Sequence, residues 1–205
     1  MGGLVVALAA SYLLGSLPTA YLAVKWLKHV DVRTVGSGNV GATNVTRVAG
    51  RAAGLAVFLI DVAKGLIAVR VLASWLIPSV TPEARFDCGV MAVVGHCFPL
   101  FLNFQGGKGV ATTIGVLVGA LPSLAAVCAA IWLACFARWR YVSVASIAAM
   151  AALPIAQVVM RRSPPELLFG IGLAFLVILR HRSNIERLRV GTEPRFKKGA
   201  CPPAC

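Results

Sequence analysis

The chain of 205 residues is mostly apolar: hydrophobic residues make up 59% of it, charged residues only 13%, and the mean hydropathy is +0.83. So few charges cannot cover a soluble surface, and the long unbroken apolar runs argue against the alternating strands of an outer-membrane barrel. The net charge is +13, but no soluble segment contains a basic patch interleaved with aromatic residues, so nucleic acid is discarded as a partner. We attribute the positive charge to the loops of a membrane protein. The composition predicts an all-α polytopic membrane protein.

Apolar runs long enough to cross a bilayer core of about 30 Å follow one another along the chain. The N-terminal run lacks the positive region of a signal peptide, and we interpret it as the first span. The short third run has Pro99 near its end and is expected to enter the membrane obliquely. The predicted runs are about 4–24, 52–77, 88–101, 110–136, 142–160 and 167–179.

The run 110–136 is long for one span and is interrupted by Leu-Pro-Ser at 121–123, so the number of spans depends on it. With a break at Pro122, fifteen Lys and Arg lie on the inner side and three on the outer side. Without the break the counts are eight and ten, which is no bias. The positive-inside rule therefore selects seven spans, with the N-terminus outside and the C-terminus cytoplasmic. All the polar motifs then share the cytoplasmic face.

Residues 1–196 are expected to form a single membrane domain, and residues 197–205 a basic Cys-Pro tail without fixed structure. Four cysteines lie within apolar runs and are expected to behave as small buried hydrophobic residues. These are Cys88, Cys97, Cys128 and Cys135. Cys201 and Cys205 in the tail have no further metal ligands nearby, so a frayed terminus is favoured over a metal site or a cross-link.

The stretch GSGNVGATNVTR, residues 36–47, concentrates polar residues between two apolar runs. Glycines allow a backbone to turn N–H groups toward an anion, and Asn, Ser and Arg add donors that suit phosphate. The match to the dinucleotide pattern G-x-G-x-x-G is weak, since spans rather than a βαβ unit flank it. A flexible glycine linker is the other interpretation. It does not account for Asn39, Asn44 and Arg47 together.

A second glycine-rich stretch, FQGGKGVATT, places Lys108 between glycines directly before a predicted helix. A cation, backbone N–H groups and a helix N-terminus together favour an anion site, although its spacing is not that of a Walker A loop. The alternative is a turn with one solvated lysine. His96 upstream lacks the Asp of the HxxxxD acyltransferases, because position 101 is Phe. We interpret His96 as a packing residue.

Two further groups of polar residues each allow two interpretations. Asp61 and Lys64 are three residues apart inside the second span, which predicts either an internal ion pair or a direct substrate contact. The tail segment HRSNIERLRVGTE offers His181, Asn184, Arg187 and Glu193, and a purely electrostatic membrane anchor would not need the His, Asn and Glu. Paired carboxylates and histidine clusters are missing from the sequence, so no metal and no cofactor is predicted.

Three motifs in order resemble the bacterial acyl-phosphate:glycerol-3-phosphate acyltransferase family: GSGNVGATNVTR, GHCFPLFLNFQGGKGVATT and HRSNIERLRVGTE, with DVAKG between the first two. The resemblance covers about residues 10–195. It implies a seven-span inner-membrane enzyme without a metal, which moves an acyl chain from acyl phosphate to the sn-1 hydroxyl of glycerol 3-phosphate. Lysophosphatidic acid and phosphate would result, as the first step of phospholipid synthesis. The family often has Lys where Gln105 stands here.

The resemblance also implies roles for residues of the three motifs. Ser37, Gly38 and Asn39 with neighbouring N–H groups and Arg47 are expected to bind the acyl-phosphate head. Glycerol 3-phosphate is expected to be oriented by Lys108, His181, Asn184 and Glu193. Ser143 and Ser146 are expected to complete the phosphate pocket, and the acyl chain to lie between spans among membrane lipid. The expected catalytic residues are His181, Lys108 and Arg47. The expected substrate-binding residues are Ser37, Gly38, Asn39, Asn44, Gly106, Gly107, Ser143, Ser146, Asn184 and Glu193.

Two other classes of function compete with an enzyme. A transporter of a phosphorylated metabolite is expected to have internal repeats and polar residues near the middle of the membrane. The polar motifs of this sequence are instead predicted to lie near one face. A regulatory or assembly membrane protein would have no turnover.

Overall fold

The computed structural model describes residues 2–196, which form helices and irregular segments without a strand. The predicted all-α fold is thus confirmed for these residues, while the predicted tail at 197–205 lies outside them. The helices are α1 (Gly2–Ser16), α2 (Thr19–Lys28), α3 (Ala42–Ala49), α4 (Arg51–Ile67), α5 (Ala73–Leu76), α6 (Pro82–Cys97), α7 (Val110–Ala120), α8 (Pro122–Trp139), α9 (Val142–Val159), α10 (Pro164–Arg180) and α11 (Arg182–Arg189).

Prolines mark several of the helix boundaries. Leu17 and Pro18 separate α1 from α2, and the predicted break at Pro122 is confirmed because α8 begins there. The prediction was wrong at the third run, which begins at Pro82 rather than at residue 88. Thr81 caps this helix by accepting a hydrogen bond from the Ala84 N–H, and Pro82 fits the first turn because no N–H is needed there.

Small residues let the helices approach one another closely. Gly15 of α1 lies against the backbone of Ala92 in α6, and Gly65 of α4 lies against the backbone of Thr112 in α7. A side chain at either glycine would collide with main-chain atoms that cannot move away. The α4–α7 and α1–α6 pairs therefore form a tightly packed centre. The α8–α9–α10 layer packs onto it around Leu124, Leu153 and Leu173, which are fully buried.

Within residues 2–196, four helical segments are long and apolar enough to cross a membrane: Gly2–Lys28, Pro82–Leu102, Pro122–Trp139 and Val142–Val159. A fifth is possible if α10 and α11, which meet at a bend of 55°, count as one span. The second and fourth predicted spans are not among these segments. The α4–α5 run carries Asp61, Lys64 and Arg70, and α7 has only 11 residues. The seven-span count and the orientation therefore stay predictions.

Asp61 and Lys64 form a buried ion pair between α4 and the α1–α2 junction. The Lys64 Nζ lies 2.8 Å from Asp61 Oδ1 and also donates to the Leu17 carbonyl at 2.6 Å. Thr19 donates to the same Asp61 oxygen at 2.7 Å. Such pairing is what allows charges inside a span, because each charge is compensated by hydrogen bonds. The internal ion pair is thus present, and the Asp61 side chain also borders the cleft described below.

Candidate active site

The first glycine-rich segment, residues 36–41, is a turn that α3 holds in place. Gly36 and Gly38 have φ of +63° and +68°, and a side chain at Gly36 would collide with Asn44. The Asn44 amide donates to the carbonyls of Val32 and Val35, and its oxygen accepts from the Ser37 N–H at 2.8 Å. Asn44 is fully buried and holds the turn through these bonds, and because it also borders the cleft described below, its predicted contact with substrate stays a prediction. Sequence analysis missed α3, the helix that positions it.

The prediction that N–H groups of this turn face a phosphate was wrong for several of them. The Ser37 N–H is used by Asn44, the Gly38 N–H donates to the Val35 carbonyl, and the Gly41 N–H donates to the Asn39 carbonyl. What the turn offers to a ligand is therefore its side chains. Ser37 and Asn39 border the cleft, and Arg47 joins them from α3.

The second glycine-rich segment, residues 106–109, connects the end of α6 with the start of α7. Gly109 has φ of +82°, and α7 begins at Val110. The Gly107 N–H donates to the His96 carbonyl at 3.1 Å. Gly106 and Gly107 are not among the residues that border the cleft or the smaller hollow beside it, and a direct substrate contact of these two glycines stays a prediction. Lys108 does border the cleft, next to the N-terminus of α7, as predicted.

The bend between α10 and α11 carries His181 and Asn184, both buried. His181 Nδ1 lies 2.7 Å from the Val177 carbonyl. A carbonyl only accepts, so Nδ1 carries a proton, and the Nε2 of a neutral ring is left as an acceptor. Asn184 Oδ1 accepts a short hydrogen bond from Lys108 Nζ, which ties the bend to the second glycine-rich segment.

Glu193 lies at the centre of the polar cluster and is only 8% exposed. It accepts hydrogen bonds from Ser143 at 2.6 Å, from Asn184 at 2.7 Å and from Arg187 at 2.8 Å. Burial alone would raise the pKa of Glu193, but these donors outweigh it, and the net effect is a pKa below the ordinary value. The carboxylate therefore stays charged and orders three side chains from α9 and α11.

Three cations, Arg47, Lys108 and Arg187, surround this single carboxylate. Burial lowers the pKa of Lys108 to about 8; the Glu193 charge opposes this shift, and Arg187 and Arg47 add to it. Burial likewise lowers the pKa of Arg47. The positive charges outnumber the negative one, so the cluster is suited to bind a further anion.

We expect the affinity for a phosphate-bearing substrate to fall as the pH rises through about 8, because Lys108 is a cation only below its pKa. The measurement is the KM for each substrate between pH 6 and pH 9.5, with Lys108→Arg as the control. A guanidinium stays charged over this range, so this variant should lose the alkaline rise in KM. The same rise in Lys108→Arg would contradict the assignment.

The polar cluster closes one end of a cleft of about 690 Å³. Its other end is apolar and is bordered by α4, α7, α8 and α9, through side chains that include Phe58, Ile114, Leu117, Trp132 and Met150. The Trp132 indole donates to Ser146 at 3.1 Å, so Ser146 lies at the boundary between the two ends. A cationic end joined to an apolar groove matches an amphiphile with an anionic head and a hydrocarbon tail.

A smaller hollow of about 450 Å³ adjoins the cleft and has a more polar lining. Four residues border both spaces: Ser37, Asn39, Lys108 and Arg187. Gly38 borders the smaller hollow only, together with Arg180, Arg182 and Ser183 of the α10–α11 bend. The two spaces meet at these four residues, which is where two ligands would come into contact.

The structure brings most of the predicted site residues together from segments far apart in sequence. Arg187 was noted in the tail segment but not assigned to the site, although it is held against Glu193 and borders both spaces. Its position six residues before Glu193 was the available signal, but the surrounding basic tail made it look like a membrane anchor. Arg180 and Trp132 were also missed.

The fold and site define a class: a helical protein with membrane-spanning segments and a cationic site at the end of an apolar cleft. The family model described as "Glycerol-3-phosphate acyltransferase" matches residues 5–191. The chain is 46% identical over 197 residues to the glycerol-3-phosphate acyltransferase of Gloeobacter violaceus, with 92% of each chain covered. It is 42% identical over 194 residues to that of Geotalea daltonii, covering 95% of this chain and 98% of the relative.

Two crystal structures of PlsY (YgiH), described as an integral membrane glycerol 3-phosphate acyltransferase, are similar throughout. The glycerol 3-phosphate form superposes with a TM-score of 0.87, and the lysophosphatidic acid form with 0.84. Each is 41% identical, with 96% of both chains covered. The chain belongs to the glycerol-3-phosphate acyltransferase family.

Proposed function

We propose that the protein transfers an acyl group from acyl phosphate to the sn-1 hydroxyl of glycerol 3-phosphate, giving lysophosphatidic acid and phosphate. The observation that carries this proposal is the junction of a cationic cluster with an apolar groove and a second polar hollow. The glycerol 3-phosphate and lysophosphatidic acid forms of the similar PlsY structures support the acceptor and the product. This reaction is a first step of phospholipid synthesis.

The acyl donor occupies the cleft, because only the cleft has an apolar end for a hydrocarbon chain. Its chain lies along α7 and α8 among membrane lipid, and its phosphate lies at the cationic end near Arg47 and Ser37. Glycerol 3-phosphate is water-soluble and occupies the smaller hollow, with its phosphate at Lys108. Its hydroxyls then point toward His181, Asn184 and Glu193 across the shared boundary. The two substrates meet at Ser37, Asn39, Lys108 and Arg187.

Direct attack of the glycerol hydroxyl on the acyl carbonyl is the simplest chemistry for this arrangement. The carbon–oxygen ester bond forms, the acyl–phosphate bond breaks, and phosphate leaves with the bonding electrons. Acyl phosphate already has a good leaving group, so orientation and charge stabilisation supply the acceleration. His181 Nε2 or the phosphate of the donor takes the proton. The cations stabilise the charge that develops on the carbonyl and phosphate oxygens.

We expect His181→Ala to lower kcat by about 10²-fold or more, since both the alignment of the hydroxyl and a proton acceptor are lost. His181→Gln retains an acceptor near this position and should recover part of the rate. Steady-state kinetics with both substrates saturating measures this. The exposed His29 at the end of α2 supplies the control, His29→Ala. A wild-type kcat in His181→Ala would remove this residue from the reaction.

A covalent acyl-enzyme on Ser37 is the alternative to direct attack. Rapid quenching during turnover of labelled acyl phosphate, followed by mass spectrometry of the protein, distinguishes the two. Direct attack predicts an unmodified Ser37. An acyl group on Ser37 that forms and decays at the rate of turnover would contradict it.

We propose seven spans in one domain over residues 1–196, with the N-terminus outside, in the inner membrane, and with the site facing the cytoplasm. Charge asymmetry supports the orientation, and exposed tryptophans near the ends of the first two proposed spans suit the membrane interfaces. Trp26 lies at the end of α2 and is 75% exposed, and Trp75 lies at the end of α5 and is 82% exposed. Both suit the two interfaces of a bilayer.

This orientation predicts opposite labelling of cysteines placed in the first two loops. In intact cells, a membrane-impermeant maleimide should label Glu83→Cys. It should label Lys28→Cys only after permeabilisation. Both positions are exposed and far from the cleft. Labelling of Lys28→Cys alone in intact cells would reverse the orientation.

Purified protein with palmitoyl phosphate and glycerol 3-phosphate tests the donor and the position of the new ester. The proposal predicts 1-acyl product by mass spectrometry, and no product when palmitoyl-CoA replaces the phosphate donor. Product formed from palmitoyl-CoA alone would contradict the assigned donor, and 2-acyl product would contradict the assigned hydroxyl.

A further inference from the structure

Arg180, the last residue of α10, makes contacts that the reaction described above does not use. Its Nε donates to the Gly107 carbonyl at 3.0 Å, and its Nη2 donates to the Gly106 carbonyl at 2.9 Å. Its guanidinium carbon lies 5.0 Å from the centroid of the Phe98 ring. Two adjacent carbonyls and one aromatic face thus hold a single half-buried guanidinium.

These contacts fix the two peptide planes that precede Lys108. In a trans peptide the carbonyl and the following N–H point to opposite sides. With the Gly106 carbonyl on Arg180, the Gly107 N–H points away from it and donates to the His96 carbonyl at 3.1 Å. With the Gly107 carbonyl on Arg180, the Lys108 N–H is also turned to the far side. The backbone before Lys108 is therefore held by hydrogen bonds to both α6 and α10.

The same bend holds the other end of the lysine. Asn184 lies four residues beyond Arg180, in the first turn of α11, and accepts a hydrogen bond from Lys108 Nζ. The backbone of Phe98 is itself anchored, since the Phe98 carbonyl accepts a hydrogen bond from the Tyr12 hydroxyl of α1 at 2.9 Å. One corner of the fold thus sets both the backbone and the ammonium of Lys108, and it also carries His181.

We propose that Arg180 is a positioning residue that clamps the Gly106–Lys108 segment, so that Lys108 keeps a fixed distance from His181 and Asn184. This inference rests on the proposed role of Lys108 in binding glycerol 3-phosphate. The planar fork of arginine is needed because two carbonyls must be held at once. A lysine at this position offers one compact ammonium and cannot span both in the same way.

The test compares Arg180→Gln and Arg180→Lys with Arg189→Gln, which removes the same charge from an exposed position on α11 away from both spaces. Hydrogen exchange of the peptide covering residues 103–110, measured by mass spectrometry, reports the clamp whether or not turnover occurs. We expect faster exchange in both Arg180 variants and an unchanged rate in Arg189→Gln. Unchanged exchange in Arg180→Gln overturns the proposal.

Steady-state kinetics of the same variants supplies the second readout. We expect kcat/KM for glycerol 3-phosphate to fall about 10- to 100-fold in both Arg180 variants, because small displacements of a binding group have such effects. The KM for acyl phosphate should change less than threefold. Wild-type kinetics in Arg180→Lys would show that charge alone suffices and overturns the clamp. Absence of turnover in the wild-type protein would refute the proposed function. The hydrogen-exchange result would still test whether Arg180 holds the Gly106–Lys108 segment.

Discussion

Replacing Lys108 with Met is expected to leave a folded protein whose kcat/KM falls by about 10²–10³-fold, the effect of removing one charge-stabilising donor from an active site. Met retains most of the length and apolar volume of the side chain, so the loss reports the ammonium itself. Lys108 borders both spaces, lies at the start of α7 and contacts Asn184. Its removal affects one of the four residues at which we propose that the two substrates meet. The measurement is initial rates with each substrate varied.

Lys28→Met is the matched control, because Lys28 ends α2 at an exposed position remote from the cleft. It removes the same charge from a position that borders neither space. We expect it to keep the wild-type rate and melting temperature. Near-normal turnover in Lys108→Met would exclude Lys108 from the site. An equal loss in the two variants would mean that total charge, and not this position, determines activity.

Glu193→Gln is expected to reduce both activity and stability. The carboxylate is buried and accepts three hydrogen bonds, and it is the anion among Arg47, Lys108 and Arg187. Gln has similar volume but carries no charge and turns an NH₂ group toward some of these donors. Breaking a buried, hydrogen-bonded charge arrangement costs about 3 kcal/mol, and we expect a fall in kcat/KM of about 100-fold or more. Thermal unfolding in detergent and initial rates measure the two effects.

Glu186→Gln provides the control for Glu193, since Glu186 is exposed on α11 and belongs to neither space. Glu193→Asp, which keeps the charge, should recover part of the stability. If Glu193→Gln melts at the wild-type temperature and turns over normally, the carboxylate does not organise the cluster. Loss of stability in Glu186→Gln as well would point to α11 as a whole.

The features that could be predicted from the sequence are those that a single physical rule determines from neighbouring residues. Pro122 begins α8 because proline is favoured in the first turn of a helix, where no N–H is needed, and the charge count had already required a break there. The three polar motifs were recognisable because polar residues are rare in an otherwise apolar chain. Their meeting in space followed from placing all three on one face of the membrane.

What sequence reasoning missed depends on contacts between distant segments. Asn44 looks like a phosphate ligand in its motif, yet its amide is used by three backbone groups of the turn. Gly106 and Gly107 look like anion-binding donors, but their carbonyls are held by Arg180, 73 or more positions along the chain. Arg187 is one of many basic residues in the sequence, and only its hydrogen bond to Glu193 in the structure distinguishes it. No local pattern encodes which partner a polar group finds.

The most direct test of the account is the stoichiometry of the reaction in proteoliposomes that contain only the purified protein. With palmitoyl phosphate and glycerol 3-phosphate outside and inside, we expect one lysophosphatidic acid for each phosphate released, and neither product with Lys108→Met. With glycerol 3-phosphate alone, we expect no exchange of labelled substrate across the membrane. Counter-flow of labelled glycerol 3-phosphate without an acyl donor, and no lysophosphatidic acid when the donor is present, would contradict an acyltransferase and identify a transporter.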